Sequence, residues 1–255
     1  MIDIHTHILP AVDDGSKSYA ESLLMLEAAT RDGIQTIVAT PHYNERYASE
    51  KATILEEVAK LNQLIKENNL MIEVLPGQEI RIYGELLLDY EAGKLLTVAG
   101  CSSYMLIEFP FGHVPHYAQR LLYDLELAGI KPIIAHPERN KEFLKHPEKL
   151  YHFVKKGALT QLTAASLMGY FGGDVQKFSK QLIEANLIHT MATDAHNMSN
   201  RAFNLSEAYE LIMKKYGNGY VSYLQKNAQL IITDGSVYGE EPLPIGKKKL
   251  FGFFN

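Results

Sequence analysis

His5 and His7 stand two residues apart in Met1-Ile2-Asp3-Ile4-His5-Thr6-His7, an apolar, strand-like start. Side chains alternate between the faces of a strand, so the two imidazoles point to one side and can converge on a single ion. The rest of the chain repeats the pattern. His42 follows the β-branched run 34–40, Glu79 follows 71–75 through Pro76-Gly77-Gln78, and Glu108 closes 104–108. His136 follows 132–135, Asp194 and His196 close 189–196, and Asp13-Asp14-Gly15 lies in the loop after the first strand. The candidates are therefore His5, His7, Asp14, His42, Glu79, Glu108, His136, Asp194 and His196, which are too many for one ion. A nitrogen and oxygen set without thiolate suits manganese, zinc or iron. Two or three such ions sharing a carboxylate would generate hydroxide and clamp the entering and leaving oxygens of a phosphoryl or acyl transfer. Singly, each residue has a plainer role: His42 as a loop histidine, Glu79 as a helix-start carboxylate, Asp194 as a helix cap. Those roles give no reason for all of them to gather at strand ends.

The elements that must position these groups form a β-α rhythm. Short apolar runs alternate with stretches of helical period, among them one from Ser16 to Gly33 with Leu23, Leu24, Leu26 and Ala28. A second runs from about Ser49 to Asn68 with Ile54, Leu55, Val58, Leu61, Leu64 and Ile65 on one face. Seven strands are expected, Ala158 to Leu162 being the weakest, and helices follow from about Arg201 to Tyr216 and Val221 to Ala228. Continuous apolar strands alternating with helices read as parallel and buried on both faces, and a β/α barrel builds its site at the C-terminal strand ends. Six of the seven candidate strands carry His, Asp or Glu there. The expectation is a TIM-like barrel with one mouth lined by metal ligands.

With 255 residues and 46% hydrophobic content, one barrel-sized domain over 1–240 is expected, followed by a tail over 241–255. A net charge of -5 argues against a broad nucleic-acid surface. The lone Cys101 precludes an intrachain disulfide, and no signal-like start or long apolar span is present, so a cytoplasmic protein is expected. A cysteine-dependent phosphatase loop would place arginine six residues after Cys101, where Ile107 stands.

The runs His5-Thr6-His7, Pro41-His42, Gly77-Gln78-Glu79-Ile80, Glu108-Phe109-Pro110, Ala135-His136-Pro137-Glu138-Arg139 and Thr193-Asp194-Ala195-His196 resemble the motifs of the PHP (polymerase and histidinol phosphatase) superfamily. Within it, Ile4-His5-Thr6-His7-Ile8-Leu9-Pro10 with Asp13-Asp14-Gly15 resembles the bacterial protein-tyrosine phosphatases of the CpsB/CapC type. The likeness spans residues 1 to about 230. It implies a distorted seven-stranded β/α barrel holding three ions, usually manganese. One ion would be bound by His5, His7, Glu79 and Asp194, a second by Glu79, Glu108 and His136, and a third by Asp14, His42 and His196. Asp13 remains an alternative to Asp14. The implied substrates are tyrosine-phosphorylated proteins: bacterial tyrosine kinases and the exopolysaccharide-synthesis enzymes they modify. A histidinol-phosphate type phosphomonoesterase and a non-catalytic phosphopeptide-binding module are the competing readings.

Arg139 and Arg201 are the expected substrate-holding residues, because a guanidinium offers a planar pair of donors to phosphate oxygens. Tyr43, Tyr47, Phe109 and Phe111 lie beside candidate ligands and could wall a phenyl ring or pack the core. The tail Lys247-Lys248-Lys249-Leu250-Phe251-Gly252-Phe253-Phe254-Asn255 offers either peripheral contact with an anionic membrane or a plain chain end.

Overall fold

The computed structural model describes residues 1–246, and the basic, aromatic tail segment 247–255 lies outside the described residues. Among the described residues nine strands form: β1 (Ile2–Thr6), β2 (Thr36–Ala39), β3 (His42–Tyr43), β4 (Glu73–Pro76), β5 (Glu79–Arg81), β6 (Tyr104–Glu108), β7 (Lys131–Ala135), β8 (Leu159–Thr163) and β9 (Thr190–Ala192). Every ladder between them is parallel. They assemble as two parallel sheets in the orders β1-β2-β4 and β3-β5-β6-β7-β8-β9, and their ladders do not join into one closed seven-stranded barrel.

The difference lies at two breaks. Pro41 has no N–H to continue β2, so the chain steps into the next sheet as β3 at His42. Gly77 separates β4 from β5, and a Cβ there would lie 2.8 Å from Val38 Cγ1, which only glycine avoids. Gln78 pins the second step: its amide donates to Ser49 O at 2.8 Å and its Oε1 accepts from Leu96 N at 2.6 Å. The two sheets meet again at β1 and β9. There His7 N donates to Ala195 O at 2.8 Å and Asp194 N to His5 O at 2.9 Å.

Strands from both sheets share an interior. Ile4, Val38, Leu106, Ile133 and Ala192 form one buried cluster, with Ala228 and Ile231 from the helix Asn218–Ile232 packed among them. A larger layer separates the strands from the surrounding helices, of which Tyr19–Arg31 and Lys51–Glu67 bury Met25, Leu26, Ile54, Val58, Leu61 and Ile65. Leu55, expected on the apolar face, is exposed, as is Leu24. The final helix extends well beyond Val221 to Ala228. Asn227, which reads as a polar interruption, is buried and donates to His189 O and Tyr238 O, both at 2.9 Å. The first residues after 240 are fastened rather than free: Asn186 Nδ2 donates to Glu241 O, and Leu243 N to Ala185 O. Among the described residues no helix is long and apolar enough to cross a membrane.

Candidate metal centre and active site

The ends of β1, β3, β5, β6, β7 and β9 bring all nine expected ligands to one place. His5 Nε2 and His7 Nε2 lie 3.2 Å apart, and each is 3.3 Å from Glu79 Oε2 and 3.4 Å from Asp194 Oδ1. Glu79 also meets His42 Nδ1 through Oε2 and His136 Nε2 through Oε1, both at 2.8 Å. Asp14 Oδ1 is 3.4 Å from both His42 Nε2 and His196 Nε2. Ligand atoms fall within 4.8 Å of one another in four overlapping groups: His7, Asp14, His42 and His196; His5, Glu79 and His136; His5, His7 and Asp194; and His42, Glu79 and Glu108.

The donor set fits divalent cations for a reason beyond proximity. His42 Nδ1, Glu79 Oε2, Glu108 Oε2, Asp194 Oδ1 and His196 Nε2 are buried yet make no hydrogen bond of acceptable geometry within the protein. Buried polar atoms without hydrogen-bond partners are costly, and five of them aimed into one small volume would be satisfied together by cations.

Backbone conformation contributes to the aim. His136 and Asp194 adopt the left-handed region, with φ of 31° and 55°. Such strain persists only where surrounding contacts impose it. Gly15 turns the first loop back on β1 so closely that a Cβ would lie 2.0 Å from His7 O.

A second layer orients the imidazoles. His7 Nδ1 donates to Asp13 Oδ2 at 2.6 Å, and Asp13 also accepts from Gly15 N at 2.8 Å and His42 N at 3.0 Å. His5 Nδ1 donates to Gln161 Oε1 at 2.8 Å. With both Nδ1 positions occupied, both Nε2 lone pairs face the cluster. The ambiguity between the paired aspartates resolves geometrically: Asp14 faces the cluster, while Asp13 stands behind His7. Gln161 was not singled out in the sequence; a polar residue in the middle of the buried strand Leu-Thr-Gln-Leu-Thr was its one signal. Loss of such outer partners typically costs 10- to 100-fold in metal affinity. Asp13→Ala is therefore expected to weaken metal binding by roughly that range while circular dichroism stays unchanged; titration of the chelated protein followed by calorimetry checks it.

Charge within the cluster is divided. Burial opposes the charged form of His7, but Asp13, Asp194 and Glu79 outweigh it and hold the imidazole well above its usual range. Burial likewise opposes ionisation of Glu79, yet His5 and His42 hold its carboxyl well below the ordinary value. His136 is pushed down to about 4 by burial and then Arg139, and His196 to about 4 by burial and then His7. A cation taking His7 Nε2 would therefore compete with the proton that these carboxylates favour there. Metal affinity is expected to rise with pH across neutrality, with proton release on binding that buffers of different ionisation enthalpy reveal calorimetrically.

Above the cluster opens a cavity of about 700 Å³, lined in part by Arg46, Arg81, Arg139 and Arg201. The chain has only six arginines, Arg31 and Arg120 being the others, and among the described residues no lysine lines this cavity. Cation chemistry here is therefore guanidinium chemistry. Arg139 Nη1 and Arg201 Nη2 both donate to Asp194 Oδ2 at 2.6 Å. Arg81, also missed in the sequence, follows Glu79 by two residues on β5 and places Nε 2.9 Å from Glu108 Oε2. Of the four expected wall residues, Tyr47 and Phe111 line the cavity. Phe109 instead packs in the core 5.7 Å from the Phe143 ring and 5.6 Å from Phe153, and Tyr43 pairs with Tyr83 at 6.1 Å.

Known proteins share this frame. The chain is 48% identical over 255 residues to the tyrosine-protein phosphatase YwqE of Bacillus subtilis, covering all of both sequences. It is 32% identical over 223 residues to the tyrosine-protein phosphatase CpsB of Streptococcus pneumoniae, covering 85% of this chain and 91% of that protein. A solved chain from a crystallographic description of YwqE and CpsB as metal-dependent tyrosine phosphatases superposes with a TM-score of 0.94 at 48% identity, covering 96% of this chain and 99% of the other. The family described as capsular polysaccharide synthesis, CpsB/CapC, matches residues 1–233, and the chain belongs to it.

Proposed function

We infer that the chain is a metal-dependent protein-tyrosine phosphatase. The single observation that carries this reading is the buried convergence of histidine and carboxylate atoms without hydrogen-bond partners beneath a cavity lined by Arg46, Arg81, Arg139 and Arg201. The names of its relatives point the same way. Three manganese ions are the proposed complement, held by His5, His7, Glu79 and Asp194, by Glu79, Glu108 and His136, and by Asp14, His42 and His196, with Glu79 shared between the first two. When bound, such ions supply Lewis-acid charge to phosphate oxygens and activate water at neutral pH.

The chain's own side chains supply the rest. Arg139 and Arg201 each commit one nitrogen to Asp194, and the remaining guanidinium N–H groups are available to the outer oxygens of a phosphate. Asp194 fixes both guanidinium groups before substrate arrives, so little reorganisation is left for the reaction. A phenolate with a pKa of about 10 leaves without a strong general acid. The proposed substrates are phosphotyrosines on bacterial tyrosine kinases and on exopolysaccharide-synthesis enzymes, met by a protein of the cytoplasm.

The test uses chelated protein resupplied with manganese and offered a phosphotyrosine peptide, a phosphoserine peptide and histidinol phosphate. Turnover of the phosphotyrosine peptide at least about tenfold faster in kcat/KM than either other substrate is expected. Preference for histidinol phosphate would identify a small-molecule phosphomonoesterase, and binding of the peptide without turnover would identify a recognition module.

A further inference from the structure

Two aromatic rings are mounted on the cluster itself. The Tyr47 ring stacks on His42, with centroids 6.1 Å apart and planes at 13°, and the Phe111 ring stacks on His136 at 5.9 Å and 20°. His42 and His136 in turn meet the two oxygens of the Glu79 carboxylate, so the rings stand at the two ends of one chain of contacts through Glu79. Both rings line the same cavity, and Phe111 is 42% exposed, a cost that core packing does not explain.

Both are held in place by their backbones. Asn44 Oδ1 accepts from Arg46 N and Tyr47 N, both at 2.9 Å, and Asn44 N donates to Tyr47 O at 2.7 Å, closing a tight turn between Tyr43 and Ala48. Lys141 N donates to Phe111 O at 2.8 Å, while Asn140 Nδ2 donates to Pro110 O and His113 O on either side of it. The Arg139 guanidinium, 5.0 Å from the Phe111 centroid, backs that ring as well.

We propose that Tyr47 and Phe111 form an aromatic slot that takes the phenyl ring of phosphotyrosine while its phosphate meets the cluster and arginines beneath. The proposal rests on the phosphatase reading above and adds what selects the substrate. A phosphate on an alkyl stem reaches the cluster without a ring to fill the slot, and loses the offset or edge contacts that aromatic pairs prefer. Discrimination between tyrosine and serine esters is thus placed in binding at the mouth of the site.

The experiment measures binding of phenylphosphonate and methylphosphonate to the manganese-loaded protein by titration calorimetry, alongside hydrolysis of a phosphotyrosine peptide. The wild type is expected to favour phenylphosphonate. Tyr47→Leu and Phe111→Leu, which keep apolar volume and remove the ring, are each expected to narrow that preference by about three- to tenfold, and Phe111→Tyr to retain it. A preference unchanged in both leucine variants, or a parallel loss for both phosphonates, overturns the slot. A wild type that hydrolyses phosphotyrosine without favouring phenylphosphonate also overturns it and leaves the phosphatase reading standing. A wild type inactive on the peptide removes that reading and the slot with it.

Discussion

Glu79→Gln is expected to lower kcat/KM for a phosphotyrosine peptide by at least about a thousandfold and to release at least one metal ion per chain. Gln keeps the volume and one carbonyl oxygen but removes the negative charge. Glu79 is the one carboxylate that meets His5, His7, His42 and His136 together, at 2.8–3.3 Å. It is almost completely buried, so water cannot replace it. Every proposed ion that uses Glu79 loses a charged ligand at once. Elemental analysis of protein purified with excess manganese gives the metal content, and circular dichroism checks the fold. The fold is expected to hold, because Gly77 and the two hydrogen bonds of Gln78 set the position of β5 independently of the cluster. A Glu79→Gln protein with full metal content and activity within tenfold of wild type would remove the central ligand from the proposed site.

The candidate ligands at strand ends were legible because each is local: a polar group at the end of an apolar run is visible in a window of ten residues. His5 and His7 needed only the two-residue period of a strand. The grouping of ligands was less accessible, since it depends on where six strand ends meet. Glu79 reaches the cluster because the chain breaks at Gly77-Gln78 and starts a new strand in a different sheet, and apolar content does not encode a change of sheet. His136 and Asp194 aim inward through left-handed backbone, which no periodicity announces. Asp13 and Asp14 are chemically identical neighbours, and only the contact of Asp13 with His7 Nδ1 separates the proposed orienter from the proposed ligand. Gln161 is 156 residues from the histidine it orients, beyond any local pattern. The aromatic residues divide for the same reason: Phe109 and Phe111 share a short segment of sequence, yet one is core and the other lines the cavity.

Arg139→Ala is expected to reduce kcat/KM by about 10²- to 10³-fold while leaving metal content near that of the wild type. Its guanidinium shares Asp194 Oδ2 with Arg201, so removing it leaves that carboxylate oxygen still paired and still oriented. Arg201→Ala leaves the mirror situation, with Arg139 retained. The double variant is different in kind, because it leaves buried Asp194 with neither guanidinium. Its loss should depart from the product of the single losses, as expected for residues that share a partner. Arg139→Lys is expected to recover little. The guanidinium lies 5.0 Å from the Phe111 centroid and 4.6 Å from that of Phe171, and a lysine ammonium cannot reproduce both the planar stacking and the paired donors. Steady-state kinetics on a phosphotyrosine peptide, with metal analysis of each variant, separate the two roles open to Arg139. Loss of activity at constant metal content means direct contact with phosphate. Loss of an ion in parallel with activity means that the residue acts by positioning Asp194, and the assignment of Arg139 to the substrate is then wrong.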